Sequence, residues 1–213
     1  MYMPEHFEET RIDELHRIIG QHPLGALVVN GPGGLDANHL PFEFDAGTGG
    51  HGRLLAHVAR ANPVWKEVKD GDEVLVIFRA ADAYISPNWY PSKHESHRQV
   101  PTWNYQVVHV HGKIAIRDDA KFVRGIVGRL TRTHETRAGE TKPWKMSDSS
   151  KEYIDGLLAA IVGIEIDITR MVGKSKLSQN KEERDRVNAA EELRSRNLPE
   201  LSRAMLHATV KKE

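Results

Sequence analysis

Apolar residues along this chain fall into short alternating runs broken by stretches of helical spacing, and the switches between these periods mark the elements. Ile12, Leu15, Ile18 and Ile19 recur at helical spacing within residues 9–21, which predicts an amphipathic helix stopped by His22-Pro23. Residues 24–30 form a short apolar strand. Gly31-Pro32-Gly33-Gly34 supplies permissive turn residues before a second strand over 36–44, so a hairpin is expected. After the glycine-rich stretch 47–52, a third strand covers 53–58, Asn62-Pro63 opens a short helix, and a strongly apolar strand covers 74–78. Residues 84–101 mix aromatics, prolines and charges, which predicts a strand end followed by a long loop.

The clearest strand is 105–116, where Val108, Val110, Gly112, Ile114 and Ile116 alternate with His109, His111 and Lys113. Helices are expected over 120–130 and 150–160. In a last strand Ile164, Ile166 and Ile168 alternate with Glu165, Asp167 and Thr169. Beyond Asn180 the chain turns helical and densely charged, with Asn180 as cap and Glu183 completing a capping-box pair. This order predicts a mainly β fold with α, an antiparallel barrel decorated by helices, and not an alternating βαβ array. No repeat or low-complexity linker appears. We expect one domain over 1–180 and a helical C-terminal appendage over 181–213, packed on that domain or on a dimer.

Composition narrows the chemistry. With 28% charged residues and zero formal net charge the chain is a globular protein, not a coat for nucleic acid or anionic membrane. It has no cysteine, which excludes disulfides, thiolate nucleophiles, Cys-ligated zinc and iron–sulfur clusters. The first ten residues carry acids and a proline where a signal peptide has basic and apolar runs, and no stretch approaches a membrane span. A cytoplasmic location is expected.

Three segments could carry a ligand. Tyr84, Trp89, Tyr90, Trp103 and Tyr105 crowd one region and are interleaved with Ser86, Asn88, Lys93, Thr102 and Asn104. Flat rings beside amides and hydroxyls suit a planar heterocycle, and equally suit an aromatic core under a loop. At Ala59-Arg60-Ala61-Asn62-Pro63, an Asn-Pro helix start with an arginine beside it suits phosphate, and His57 upstream adds a donor. An ordinary capped helix has the same pattern. Residues 174–180 are polar and basic, as for a ligand contact or a solvated connection. His109 and His111 share a strand face and His94 and His97 flank Glu95, but no third ligand stands at zinc spacing, so no metal is expected. G-x-S-x-G, P-loop and G-x-G-x-x-G motifs do not occur.

These same segments resemble the PaiB family, FMN-binding negative transcriptional regulators related in fold to pyridoxamine phosphate oxidase. The resemblance rests on Met1-Tyr2-Met3-Pro4 with Phe7, on His39-Leu40-Pro41-Phe42, on His57-Val58-Ala59 and on Asn62-Pro63-Val64-Trp65. It continues through Ala83 to Tyr90, Val100 to Tyr105, Val108 to Gly112 and Lys176-Leu177-Ser178-Gln179-Asn180, nearly the full length in register. It implies a split β-barrel that dimerises and holds FMN between subunits. By the same resemblance His57, Arg60, Ala61 and Asn62 hold the FMN phosphate, and His39 and Leu40 line the ring or ribityl chain. Trp103, Asn104, Tyr105, Lys176 and Gln179 reach the isoalloxazine, some from the partner subunit. Two features depart from the family: a longer, more polar segment over 93–99, and Lys181 where the family carries arginine.

Three functions compete on these residues. The first is a PaiB-type regulator acting as a homodimer. DNA is a conceivable partner, although no helix-turn-helix is recognisable and the arginines 184, 186, 194, 196 and 203 stand among acids. The second is an FMN-dependent oxidoreductase, for which no acid–base pair stands out. The third is a haem protein with His109 or His111 as axial ligand.

Overall fold

The structure is a computed structural model that describes residues 1–47 and 50–208. Residues 48 and 49 of the glycine-rich stretch, and 209–213 of the C-terminal segment, lie outside the described residues. The elements run β1 (Glu8–Glu9), α1 (Ile12–Gln21), β2 (Leu24–Gly31), β3 (Gly34–Pro41), β4 (Glu43–Asp45), β5 (Arg53–Ala59), α2 (Val64–Glu67) and β6 (Glu73–Ile85). They continue with α3 (Pro91–Ser96), β7 (Thr102–Arg117), α4 (Ala120–Ala138), α5 (Lys151–Ala159), β8 (Ile161–Lys176), α6 (Glu183–Ser195) and α7 (Pro199–Leu206). The strands form one sheet in the order β3-β2-β6-β7-β8-β5-β4, and β1 pairs with β8. The pairs β1–β8, β2–β3, β2–β6, β4–β5 and β5–β8 are antiparallel.

Two compact units divide the chain. Among the described residues the first comprises 1–21, 79–108 and 172–208, and the second comprises 22–47, 50–78 and 109–171. The long strands β6, β7 and β8 contribute residues to both.

In the second unit, Pro32 and Gly33 form the two-residue loop between the paired Gly31 and Gly34, with Gly34 at φ 97°. Gly25, Leu27 and Val29 alternate inward along β2. Phe42 meets Phe78 edge to face at 5.7 Å between centroids. Asp119 caps α4 by accepting from the Phe122 N–H at 2.8 Å, and Gly139 ends it in the left-handed region. The apolar stripe of α4 packs Ile126 and Leu130 on Leu55, and Val123 on Ile154 and Leu158 of α5. Ser150 caps α5.

In the first unit, α1 buries Leu15, Ile18 and Ile19 but leaves Ile12, expected on the same stripe, 50% exposed. Helices α6 and α7 set Ala190, Leu193, Leu201 and Met205 against Ile85 and Tyr90. Each fully buried leucine there contributes about 1.5–3 kcal/mol of transfer free energy.

Several elements differ from their sequence signals. The second strand breaks at Phe42, giving β3 and β4. β6 extends to Ile85, and the expected long loop after it folds into a 3-10 turn at Pro87–Trp89 and the helix α3. Pro87 and Pro91 read as breakers, yet each stands in a first helical turn, where no N–H is needed. His94 therefore lies on a helix and His97 is its left-handed cap at φ 54°. α4 runs well past Leu130, to Ala138, and β8 runs to Lys176, so Lys174, Ser175 and Lys176 belong to a strand. Asn180 does not cap the next helix. Ser178 turns left-handed at φ 64°, Gln179 closes the turn, and α6 begins only at Glu183, with Glu182 before it making no side-chain cap.

One glycine tests this packing. A Cβ on Gly112 would lie 2.5 Å from Ile166 Cγ2 and 2.6 Å from the Asp167 carbonyl oxygen. We expect Gly112→Ala to lower stability by about 1–3 kcal/mol, read as a lower denaturant midpoint in chemical unfolding. An unchanged midpoint would mean the strands are not so closely apposed.

Candidate functional site

In the first unit, the alternation of β7 sorts its side chains between two faces. Trp103 is 54% exposed and Tyr105 half-buried, whereas Asn104 and Gln106 are buried. The Trp103 ring meets the exposed Tyr84 of β6 edge to face at 6.3 Å. Lys174 of β8 places its ammonium 5.6 Å from the Tyr105 ring centre and 5.8 Å from that of Tyr2, and donates to the Tyr2 carbonyl oxygen at 3.1 Å. Lys176 lies 2.5 Å from Thr102 Oγ1 and 6.0 Å from the Phe7 ring centre, and burial lowers its pKa. The result is a set of five aromatic rings, Trp103, Tyr84 and Tyr2 among them exposed, with the buried Lys174 and the half-buried Lys176, which suits a planar anionic molecule.

Of the residues expected at an isoalloxazine, Trp103, Tyr105 and Lys176 belong to this set. The side chains of Asn104 and Gln179 do not. Asn104 Nδ2 donates to Ser178 Oγ at 2.9 Å and lies 3.4 Å from Met205 Sδ, and its Oδ1 is buried without a partner. Gln179 spends its amide on its own turn, accepting from Leu177 N–H at 2.7 Å and donating to the Ser175 carbonyl oxygen at 2.6 Å. Three consecutive strand residues cannot put three side chains on one face. Lys174 was visible in the sequence only as part of a basic connection; parity with Lys176 along β8 would have placed it here.

The phosphate-type residues lie in the second unit. Arg60 follows β5 and is fully engaged. It donates to both oxygens of Asp118 at 2.5 and 2.8 Å and to the carbonyl oxygens of Ala159 (2.8 Å) and Ile161 (3.2 Å). The hydrogen bond to Arg60 holds Asp118 below the usual carboxylate range. Arg60 also borders a cleft of about 420 Å³ lined by Asp118, Asp119 and Asp155 and by Arg124, so its acids outnumber its arginines. Asn62 Oδ1 accepts from Val64 N–H at 3.0 Å and its Nδ2 donates to Asn38 Oδ1 at 2.7 Å. The helix it opens, α2, is a single turn and carries little dipole. Ala61 and His39 are exposed, whereas Leu40, next to His39 on β3, points the other way and is buried. His57 is half-buried with Nδ1 unpartnered, and that burial lowers its pKa.

Other candidates resolve into structural roles. Arg170 lies 3.1 Å from His111 Nε2, and burial, then Arg170, lowers the His111 pKa. Burial lowers that of His109. Among the described residues, no group of three or more His, Asp or Glu side chains could hold a metal ion. On α6, Arg184 is held by Glu95 and Glu182, and Arg186 is buried and donates to the Met205 carbonyl oxygen at 2.7 Å; Arg196, just past its end, pairs with Glu192 over the Trp89 ring. These three are committed within the protein and do not form a stripe for nucleic acid. No helix among the described residues is long and apolar enough to cross a membrane.

The family model for a putative FMN-binding domain matches residues 1–170. The protease synthase and sporulation protein PAI 2 of Bacillus subtilis (strain 168) is 31% identical over 199 residues, covering 93% of this chain and 92% of that protein. Among solved structures, the FAD and heme binding protein from Mycobacterium smegmatis superposes with a TM-score of 0.54 at 17% identity, covering 79% of this chain and 73% of that one. A conserved hypothetical protein of Mycobacterium tuberculosis, Rv2991, superposes with a TM-score of 0.58 at 11% identity, covering 85% and 94%. Likeness at this level concerns the fold alone, which is the antiparallel split barrel carrying helices.

The buried imidazoles set a pH dependence. His57 and His109 both sit below the ordinary value of 6.5 because burial disfavours their charged forms. As pH falls through about 6.5 the unfolded chain takes up protons that the folded chain refuses, so stability falls with pH. We expect the melting temperature to drop between about pH 7.5 and about pH 5, and His57→Gln to flatten part of that drop. A wild-type curve flat across that range would remove the burial argument.

Proposed function

Because the chain belongs to the family of putative FMN-binding domains, we propose that it carries FMN with the flavin ring against the Tyr84–Trp103–Tyr105 face, and that it acts as a cytoplasmic homodimer in PaiB-type negative transcriptional regulation. The observation that carries this reading is the exposure of Trp103 on β7 and Tyr84 on β6, with the half-buried Tyr105 beside Lys174. Aromatic faces left partly open to solvent favour stacking, and the cations favour an anionic cofactor. FMN, when bound, supplies reversible two-electron redox chemistry. The chain's own part is to bind and orient it: Trp103 and Tyr105 offer ring faces, and Lys176 offers a donor already held by Thr102.

The phosphate is assigned to His57, Arg60, Ala61 and Asn62. His57 supports this with an unpartnered ring nitrogen. Arg60 can join only by exchanging Asp118 for phosphate, so its contribution is reduced by the ion pair it gives up. A homodimer presents two copies of each set. Residues 1–180 act as the flavin domain, and the helices beyond act as its appendage. Regulation proceeds through a partner protein or the flavin's redox state, because Arg184, Arg186 and Arg196 are spent on internal contacts.

Titrating FMN into the protein while following flavin fluorescence tests this. We expect saturable binding, about tenfold weaker in Trp103→Ala and in Lys176→Ala, and a smaller loss in Arg60→Ala. Sedimentation should give a dimer. Unaltered affinity in both Trp103→Ala and Lys176→Ala would remove the ring assignment, and steady NAD(P)H oxidation by the loaded protein would move the reading to an oxidoreductase.

A further inference from the structure

In the first unit, residues 1–4 carry no regular structure, yet they touch the aromatic set. The segment is fixed only from the Glu5–Phe7 turn onward, by the buried Phe7 and by the pairing of β1 with β8. Upstream of that turn Pro4 is extended, at φ −60° and ψ 138°, and Tyr2 reaches Lys174 of β8. Its attachment is narrow. The Tyr2 carbonyl oxygen accepts from Lys174 Nζ at 3.1 Å and the ring centre lies 5.8 Å from that ammonium, while the residue stays 84% exposed. The Tyr2 hydroxyl makes no hydrogen bond among the described residues.

Lys174 has more to give than Tyr2 takes. It is only 9% exposed and makes no ion pair among the described residues. Its ammonium lies over the rings of Tyr105 and Tyr2 and donates to that one neutral carbonyl. Glu8, opposite it in the β1–β8 register, is exposed and forms no ion pair with it. An ammonium carries three donors, and a buried charge held by neutral groups is compensated less well than one that meets an anion. The nearby cations add to this. Lys176 is held by Thr102 and Lys181 by Gln99, and neither makes an ion pair among the described residues. Burial, and after it the charges of Lys174 and Lys181, lower the Lys176 pKa.

We propose that residues 1–4 are a strap, latched by Lys174, which a planar aromatic anion displaces: its ring meets Tyr105 and its charge takes the Lys174 ammonium from the Tyr2 carbonyl oxygen. The exchange favours the anion because a charged acceptor replaces a neutral one, and the exposed Tyr2 ring has little packing to lose. The freed segment then signals at the surface that the face is filled. This rests on the flavin reading only for the face it uses, and the latch is tested without flavin.

The chain has no cysteine, so a nitroxide on Met3→Cys labels the strap alone in the full-length protein. We expect a hindered spin-label spectrum without ligand, and a freely tumbling one when Lys174→Met is added, with circular dichroism confirming that the variant folds. 2-Naphthoate should convert the hindered spectrum to the free one with saturation. 2-Naphthalenemethanol, the same rings without the charge, should need about tenfold more. Tyr2→Phe should behave as the parent, because the hydroxyl is unused. The proposal is overturned if a folded Lys174→Met leaves the label hindered, or if naphthoate binds by calorimetry without releasing it. It is also overturned if naphthoate does not bind, or if the uncharged analogue releases the strap equally well. FMN is titrated separately by its fluorescence. A chain that binds FMN but keeps its strap on naphthoate loses this proposal alone; one that frees its strap and binds no FMN loses only the flavin reading.

Discussion

A β-strand offers only every second side chain to a given face, and β7 and β8 turn that constraint into chemistry. In the first unit Trp103 and Tyr105 go to one side, with Lys174 and Lys176 beside them, and Asn104 and Gln106 go to the other. The same stretch of backbone therefore places a partly exposed pair of aromatic rings, with a buried and a half-buried lysine beside it, on one side and a buried pair of amides on the other. Those amides are acceptable in the interior because most of their groups are paired: Asn104 with Ser178, and Gln106 with Ser175 and Glu14. A register shift of one residue in β7 would exchange its two sets, burying Trp103 and exposing the amides.

The helices after β8 hold the segment that leads into this face. Asp185, fully buried, accepts from Ser92 N–H at 3.0 Å and Ser92 Oγ at 2.5 Å. Asn188 donates to the Trp89 carbonyl oxygen at 2.8 Å, and Arg196 lies 5.0 Å from the centre of that tryptophan's ring. The exposed Arg184–Glu95 pair adds little to stability by itself, whereas the buried hydrogen bonds to Asp185 are costly to leave unmade. The polar stretch over 93–99 is accounted for in the same way. It presents Glu95 to Arg184 of α6 and Gln99 to Lys181 in the turn before that helix.

In the second unit the arginine expected to be free for an anion is the most fully committed. Arg60 closes the end of β5 by tying the α5–β8 connection, through the carbonyl oxygens of Ala159 and Ile161, to Asp118. Its sequence neighbour Asn62 performs the capping expected of it, but for one turn of helix only. Near it, His57 is left by burial with its Nδ1 unpartnered among the described residues.

Much of this was legible along the chain. The period of two over residues 105–116 and 164–169, the Gly-Pro-Gly-Gly turn and the helical spacing in α1 identified their elements, because each depends on local steric and burial preferences. The family was legible too, since its motifs keep their order and spacing. Residues distant in sequence decided the rest. Whether Arg60 is free depends on Asp118, and the segment after Tyr84 packs its helix on α6. Parity could have separated Trp103 from Asn104, but not said which faced inward. That depended on α7 burying Met205 beside Asn104, a contact between residues about a hundred positions apart that no local pattern encodes.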